Sequence, residues 1–90
     1  MLSQEEIEQQ LNQLPGWTIT EGKLHKQFEF SDFIQAFSFM TKVAIKAEKL
    51  DHHPEWSNCY NTVTVDLITH SAQTITQLDF ELAGFIEAAL

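Results

Sequence analysis

Between Phe33 and Leu50 apolar residues recur with the period of a helix, whereas from Thr62 to Leu67 they recur at every second residue. The change of period falls just after His52-His53-Pro54, and it constrains the fold more than any other feature. A helix-period pattern does not settle as a strand, so the chain must leave a long helix and enter a sheet within a few residues. Pro54 disfavours helical conformation at the residue before it, which places His52 and His53 on a short, constrained turn.

The other elements can be read outward from this turn. Ser3 and Glu6 fit a capping box, with Leu2 and Ile7 as its hydrophobic staple. Ile7, Leu11 and Leu14 share a face before Pro15-Gly16 ends the first helix. Trp17 and Ile19, a turn at Glu21-Gly22-Lys23, and the alternating Leu24, Lys26, Phe28 and Phe30 predict a β-hairpin.

Ser31 is placed to cap the long helix. With Phe33 as zero and about 100° per residue, Phe37, Met40, Ala44 and Ala47 stay within about 40° of it. Phe39, Val43 and Leu50 lie on one flank, Ile34 and Ile45 on the other, and Gln35, Ser38, Lys42, Lys46 and Lys49 form the polar stripe. This apolar arc is wider than one sheet face requires, so part of it is expected to meet another subunit. Glu48 lies inside the arc, which is out of place for a plain amphipathic helix.

Trp56 to Tyr60, a turn near Tyr60-Asn61, and Val63, Val65 and Leu67 alternating with Thr62, Thr64 and Asp66 predict a second hairpin. Thr76 and Asp79 fit another capping box, with Ile75 and Phe80 as staple and Leu78, Leu82, Phe85 and Ala89 as the inner face of a third helix. The order α-β-β-α-β-β-α predicts an α+β fold, a four-stranded antiparallel sheet with helices on one face, in a single domain spanning residues 1–90.

Charge narrows the partners. A net charge of −8 disfavours direct contact with a nucleic-acid backbone or an anionic membrane surface. A single cysteine, Cys59, cannot form an internal disulfide and is expected to be a buried, inert thiol within its strand. The acidic start MLSQEEIEQQ lacks the character of a signal peptide, and a cytoplasmic location is the expectation.

If the second hairpin packs beside the end of the long helix, His52, His53 and His70 line one cleft, with Glu48 on its wall and Trp56 on its floor. Several imidazoles around one cleft suit a reaction that protonates one atom and deprotonates another near neutral pH. Each residue also has a plainer reading. His25 is expected to be solvated, Asp79 is an N-terminal helix acid favoured by the dipole, and Trp56 is a sheet residue. Zinc is the rival chemistry, since His52, His53, His70, Glu48, Asp51 and Cys59 include ligand types, but no HxxxH, HExxH or CxxC spacing is present and no metal is expected.

EKLDHHPEW at residues 48–56, followed by YNTVTVDLITH at 60–70, resembles the pterin-4a-carbinolamine dehydratase family. The likeness runs from about Gly16 to the end, through EGKLHKQFEFSDFIQAFSFMTKVAIKAEKL before the motif and TQLDFELAGFIE after it. The resemblance implies dehydration of a 4a-hydroxytetrahydropterin to quinonoid dihydropterin in tetrahydrobiopterin recycling, with no cofactor. It implies His52, His53 and His70 as catalytic residues, His52 and His70 transferring protons and His53 orienting the ring. By the same likeness Glu48, Pro54, Trp56, Thr69, Ser71, Ala72 and Asp79 bind substrate, and the chain forms a homodimer or homotetramer.

Animal members also serve as dimerisation cofactors for a homeodomain transcription factor, so a transcription-factor partner is the alternative by family analogy alone. Leu78 stands where those members carry an arginine, and Cys59 where they carry a valine.

Overall fold

A computed structural model describes residues 1–90. The elements are α1 (Gln4–Leu11), β1 (Thr18–Thr20), β2 (Lys23–Glu29), α2 (Phe33–Leu50), β3 (Glu55–Cys59), β4 (Thr62–Leu67) and α3 (Gln77–Ala88). The strands form one antiparallel sheet in the order β1-β2-β4-β3, in the α-β-β-α-β-β-α sequence expected. No helix is long and apolar enough to cross a membrane.

Local chemistry explains most boundaries. The Glu6 N–H donates to Ser3 Oγ at 3.1 Å and the Ser3 N–H to Glu6 Oε1 at 2.9 Å, so the capping box that starts α1 closes reciprocally. β1 and β2 are joined by Glu21-Gly22, whose φ values of 53° and 78° are both positive. Positive φ at both loop positions is what a two-residue hairpin needs to match the twist of its strands. Along β4, Val63, Val65 and Leu67 have no exposure, and their partners across to β2 include Phe28 and Leu24.

The core is a cluster of these strand residues with Trp17, Ala36, Phe39, Val43, Ile75, Phe80, Leu82, Ala83 and Ile86. Ile7, Leu11 and Leu14 from the α1 region pack at its margin. Trp17 is buried edge-on to Phe28, with ring centroids 6.0 Å apart, and its indole N–H donates to Glu87 Oε2 at 3.0 Å. Lys26 Nζ donates to the same oxygen at 2.7 Å and to the Pro15 carbonyl at 2.8 Å. Glu87 thus ties the first hairpin to the far end of α3.

The structure corrects several expectations. Asp32, not Ser31, caps α2: its backbone is extended and its Oδ1 accepts the Gln35 N–H at 2.8 Å. The buried stripe of α2 is Ala36, Phe39, Val43 and Ala47, whereas Phe33, Ile34, Phe37 and Ile45 are exposed. The arc is too wide for its neighbours within the chain to cover, and two of its phenylalanines, Phe33 and Phe37, fall on the uncovered part. On α3 the buried residues are Asp79, Phe80, Leu82, Ala83 and Ile86; Leu78 is exposed and Phe85 and Ala89 half-buried. Cys59 is exposed, because strand alternation turns it to the face that the helices leave open. On that same face His25 is half-buried and paired with Asp66 at 2.8 Å rather than simply solvated.

Glu87→Ala tests the tie between hairpin and helix. It leaves the buried Trp17 N–H without an acceptor and is expected to cost about 1–3 kcal/mol of stability, measured by urea unfolding.

Candidate active site

The end of α2 sets the position of the histidines. Asp51 adopts the left-handed conformation (φ 50°, ψ 43°), and the His52 N–H reaches back to the Ala47 carbonyl at 3.0 Å. This is a Schellman-type stop. The helix therefore ends before His52 by its own cap, and Pro54 secures the departure into β3. At the other side of the cleft, the loop after β4 folds on itself. The Thr69 N–H donates to the Thr74 carbonyl at 3.1 Å, and the Ala72 and Gln73 N–H groups donate to the Thr69 and His70 carbonyls.

These two turns enclose a cleft of about 340 Å³ lined by His52, His53, Pro54, Glu55, Thr69, His70, Ser71, Asp51 and Leu78. The three expected histidines are brought together, with Pro54, Thr69 and Ser71. Asp79 lies beneath them, fully buried. Glu48, Trp56 and Ala72 do not line the cleft. Trp56 faces the core side of the sheet opposite Val65, because the strand alternation begins with Glu55 on the open face. Glu48 stands exposed on α2, and the Ala72 amide is used inside its own loop.

Each cleft histidine presents Nε2 to a different carboxylate. His52 Nε2 is 2.5 Å from Asp79 Oδ1, His53 Nε2 is 2.8 Å from Glu48 Oε1, and His70 Nε2 is 2.7 Å from Glu55 Oε2. An ionised carboxylate only accepts, so each ring donates through Nε2 and keeps Nδ1 without an internal partner. The rings are thereby directed at three separate acids rather than at one common point.

Their environments differ sharply. His52 is buried, and Asp79 Oδ2 also accepts from the Thr69 hydroxyl and from the Thr76 N–H, both at 2.8 Å. The Thr76 hydroxyl sits 2.6 Å from that of Thr69, so Asp79 is both an N-terminal helix acid and the anchor of His52. No buried side-chain polar atom in the chain lacks a partner. His53 and His70 are more than half exposed.

The Glu55 carboxylate is held below the usual glutamate range, first by the Lys23 ammonium at 2.6 Å and then by His70. Lys23 is correspondingly pushed up by the same pair. Glu55 was not among the residues singled out from sequence. It lies next to Pro54 at the start of a strand, but its link to Lys23 depends on a strand register that composition does not reveal.

An α+β fold sets buried and exposed histidine–carboxylate pairs around one small cleft, an arrangement of groups suited to moving protons. The chain belongs to the family described as pterin 4 alpha carbinolamine dehydratase, whose profile matches residues 1–89. A Solibacter usitatus protein named as a candidate pterin-4-alpha-carbinolamine dehydratase is 51% identical over 97% of this chain and 92% of its own length. A Chelativorans protein named in the same way is 52% identical over 97% of this chain and 91% of its own. The crystal structure of a transcriptional coactivator/pterin dehydratase from Brucella melitensis has a TM-score of 0.93 and 44% identity, covering 98% of this chain and 96% of that one.

Asp79→Ala strands the buried His52 ring, the Thr69 hydroxyl and the Thr76 N–H together, and is expected to cost roughly 3 kcal/mol or more. His53→Ala removes only an exposed pair and is expected to change stability by within about 0.5 kcal/mol. Denaturant unfolding of both variants checks the contrast.

Proposed function

We propose that the chain is a hydro-lyase that removes water from a 4a-hydroxytetrahydropterin, using the cleft histidines as general acid and base. The observation that carries this reading is the His52–Asp79 pair: a buried imidazole, held through Nε2, that lines a cleft shared with His70. The family membership supplies the substrate class.

The chemistry needs two proton movements. The C4a hydroxyl is a poor leaving group until it accepts a proton, after which the C–O bond breaks and water departs. The N5 lone pair forms the C4a=N5 double bond as water leaves, and a base then takes the N5 proton, whose bonding pair stays on nitrogen. Nothing is oxidised or reduced, and the two steps return the site to its starting charge. We assign the transfers to His52 and His70 and the holding of the ring to His53, with Pro54, Thr69 and Ser71 shaping the pocket. Asp79 fixes which nitrogen of His52 carries the proton and balances the ring's charge when Nδ1 gains one. Trp56, Ala72 and Glu48 then act from outside the pocket wall, Glu48 through His53. Recycling of pterin left by a hydroxylation reaction is the pathway this activity fits.

The test is the absorbance decay of freshly generated 4a-hydroxytetrahydropterin. Wild type is expected to accelerate it, and His52→Ala and His70→Ala each to lose roughly 100- to 10,000-fold while remaining folded. His53→Ala is expected to raise KM more than it lowers kcat. A wild-type rate equal to the uncatalysed one would end the enzyme reading.

A second copy of the chain is proposed on the exposed apolar flank of α2, where Phe33, Ile34, Phe37 and Ile45 are uncovered. The alternative occupant is a transcription-factor partner, a reading that the Brucella neighbour's name also supports. Light scattering is expected to give a multiple of 10.3 kDa, and Phe37→Glu with Ile45→Glu to reduce it to one chain. A wild-type mass of one chain at micromolar concentration would remove the homo-oligomer reading.

A further inference from the structure

Glu55 and Asp66 are direct cross-strand partners on β3 and β4, two acids opposed on the open face of the sheet. Like charges in that relation destabilise a sheet unless each is balanced. Here each is: Asp66 takes His25 at 2.8 Å, and Glu55 takes Lys23 at 2.6 Å through Oε1 while Oε2 accepts from His70 at 2.7 Å. Lys23 starts β2 and reaches Glu55 past the end of β4, so the bridge joins β2, β3 and the loop after β4.

His70 needs such a bridge. It sits on a loop, its side chain is 67% exposed, and its only hydrogen-bond partner through the ring is Glu55. His52 has a buried pocket to hold its ring, whereas nothing encloses His70 in that way. A partly exposed ion pair adds little stability, but orienting one ring takes little energy.

We propose that Glu55, clamped by Lys23, is the positioning residue for His70: it keeps Nε2 as the proton-bearing nitrogen and leaves Nδ1 as the one that exchanges a proton in the cleft. This rests on the dehydratase reading of the cleft, and the experiment separates the two. Glu55 lines the cleft, and the role proposed for it is exerted through His70.

The first readout needs no turnover. Carboxyl NMR of Glu55 is expected to show titration below the ordinary glutamate range, moving up in Lys23→Met and, by less, in His70→Ala. The charged groups facing Glu55 are Lys23, His70 and the adjacent Asp66. Because the folded carboxyl is depressed, the stability from its pairing is fully present above the ordinary glutamate range. It is lost as pH falls through the lowered value.

The second readout is kinetic. Glu55→Ala is expected to lower kcat roughly 10- to 100-fold with little change in KM, as loss of orienting carboxylates does for metal-bound histidines. Glu55→Gln, which keeps an acceptor oxygen, is expected to recover part of that loss. Lys23→Met is expected to lose less than Glu55→Ala, and the double variant no more than Glu55→Ala alone, since the residues act in one chain.

An unchanged kcat in Glu55→Ala, or losses that multiply in the double variant, would overturn the positioning role while leaving the dehydratase reading intact. If wild type shows no turnover, that reading fails instead. The positioning claim is then decided by ring relaxation of His70, which is expected to become more mobile in Glu55→Ala and Lys23→Met. Unchanged ring mobility, with Glu55 titrating identically in His70→Ala, would overturn it.

Discussion

A buried carboxylate must be fully hydrogen-bonded or it costs several kcal/mol, and Asp79 meets that demand by drawing together three parts of the chain that are remote in sequence. Its oxygens accept from His52 after α2, from Thr69 after β4 and from Thr76 at the start of α3. None of these segments could move away without stranding a polar group in the interior. The cleft therefore has a rigid floor even though two of its histidines stand largely in water. The helix N-terminus also suits the charge, since the dipole favours an acid in the first turn of α3. One residue thus starts a helix, closes a loop and orients a ring.

The long helix has to satisfy a different pair of demands. Its inner stripe, Ala36, Phe39, Val43 and Ala47, covers the sheet and meets α3, while its outer flank keeps large apolar side chains in solvent. Glu48 stands on that outer surface beside Thr41, Ala44, Ile45 and Lys49, and its carboxylate holds His53. The outer flank of α2 and the cleft are consequently joined through one side-chain pair, Glu48–His53.

The order of elements was legible in the sequence because it depends on periodicity and caps, which are local. Val63, Val65 and Leu67 announce a half-buried strand, and Ser3 with Glu6 announces a helix start. The buried face of α2 was not legible, because an arc of apolar residues does not say which part its neighbours will cover. Ala36 and Ala47 are buried and Phe33 and Phe37 are not. At the site, the convergence of His52, His53 and His70 followed from two loops flanking one hairpin. Trp56 turns to the core side of the sheet by strand alternation, and Glu55 was missed because its link to Lys23 depends on strand register. Asp79 was read as an N-terminal helix acid, and the structure makes the same carboxylate the partner of His52.

Histidine–carboxylate pairing recurs at all four histidines, yet it cannot serve the same purpose in each. For His52 the ring is buried and Asp79 orients it; in the proposed reaction the same carboxylate sets which nitrogen bears the proton and balances charge when the ring gains one. For His53 and His70 the surroundings are aqueous, charge is screened, and a carboxylate at 2.7–2.8 Å contributes chiefly geometry. A reaction that must add a proton at one atom and remove one at a neighbouring atom needs two rings at a defined separation. In the proposed assignment one of the two, His52, is set by packing and the other, His70, by a bridge across the sheet. The bridge is the more easily perturbed of the two devices, since it rests on the half-buried pair Lys23–Glu55 rather than on the interior. With His52 and His70 as the proposed proton-transferring pair, their separation depends on the open face of the sheet, on the side away from the helices that build the core.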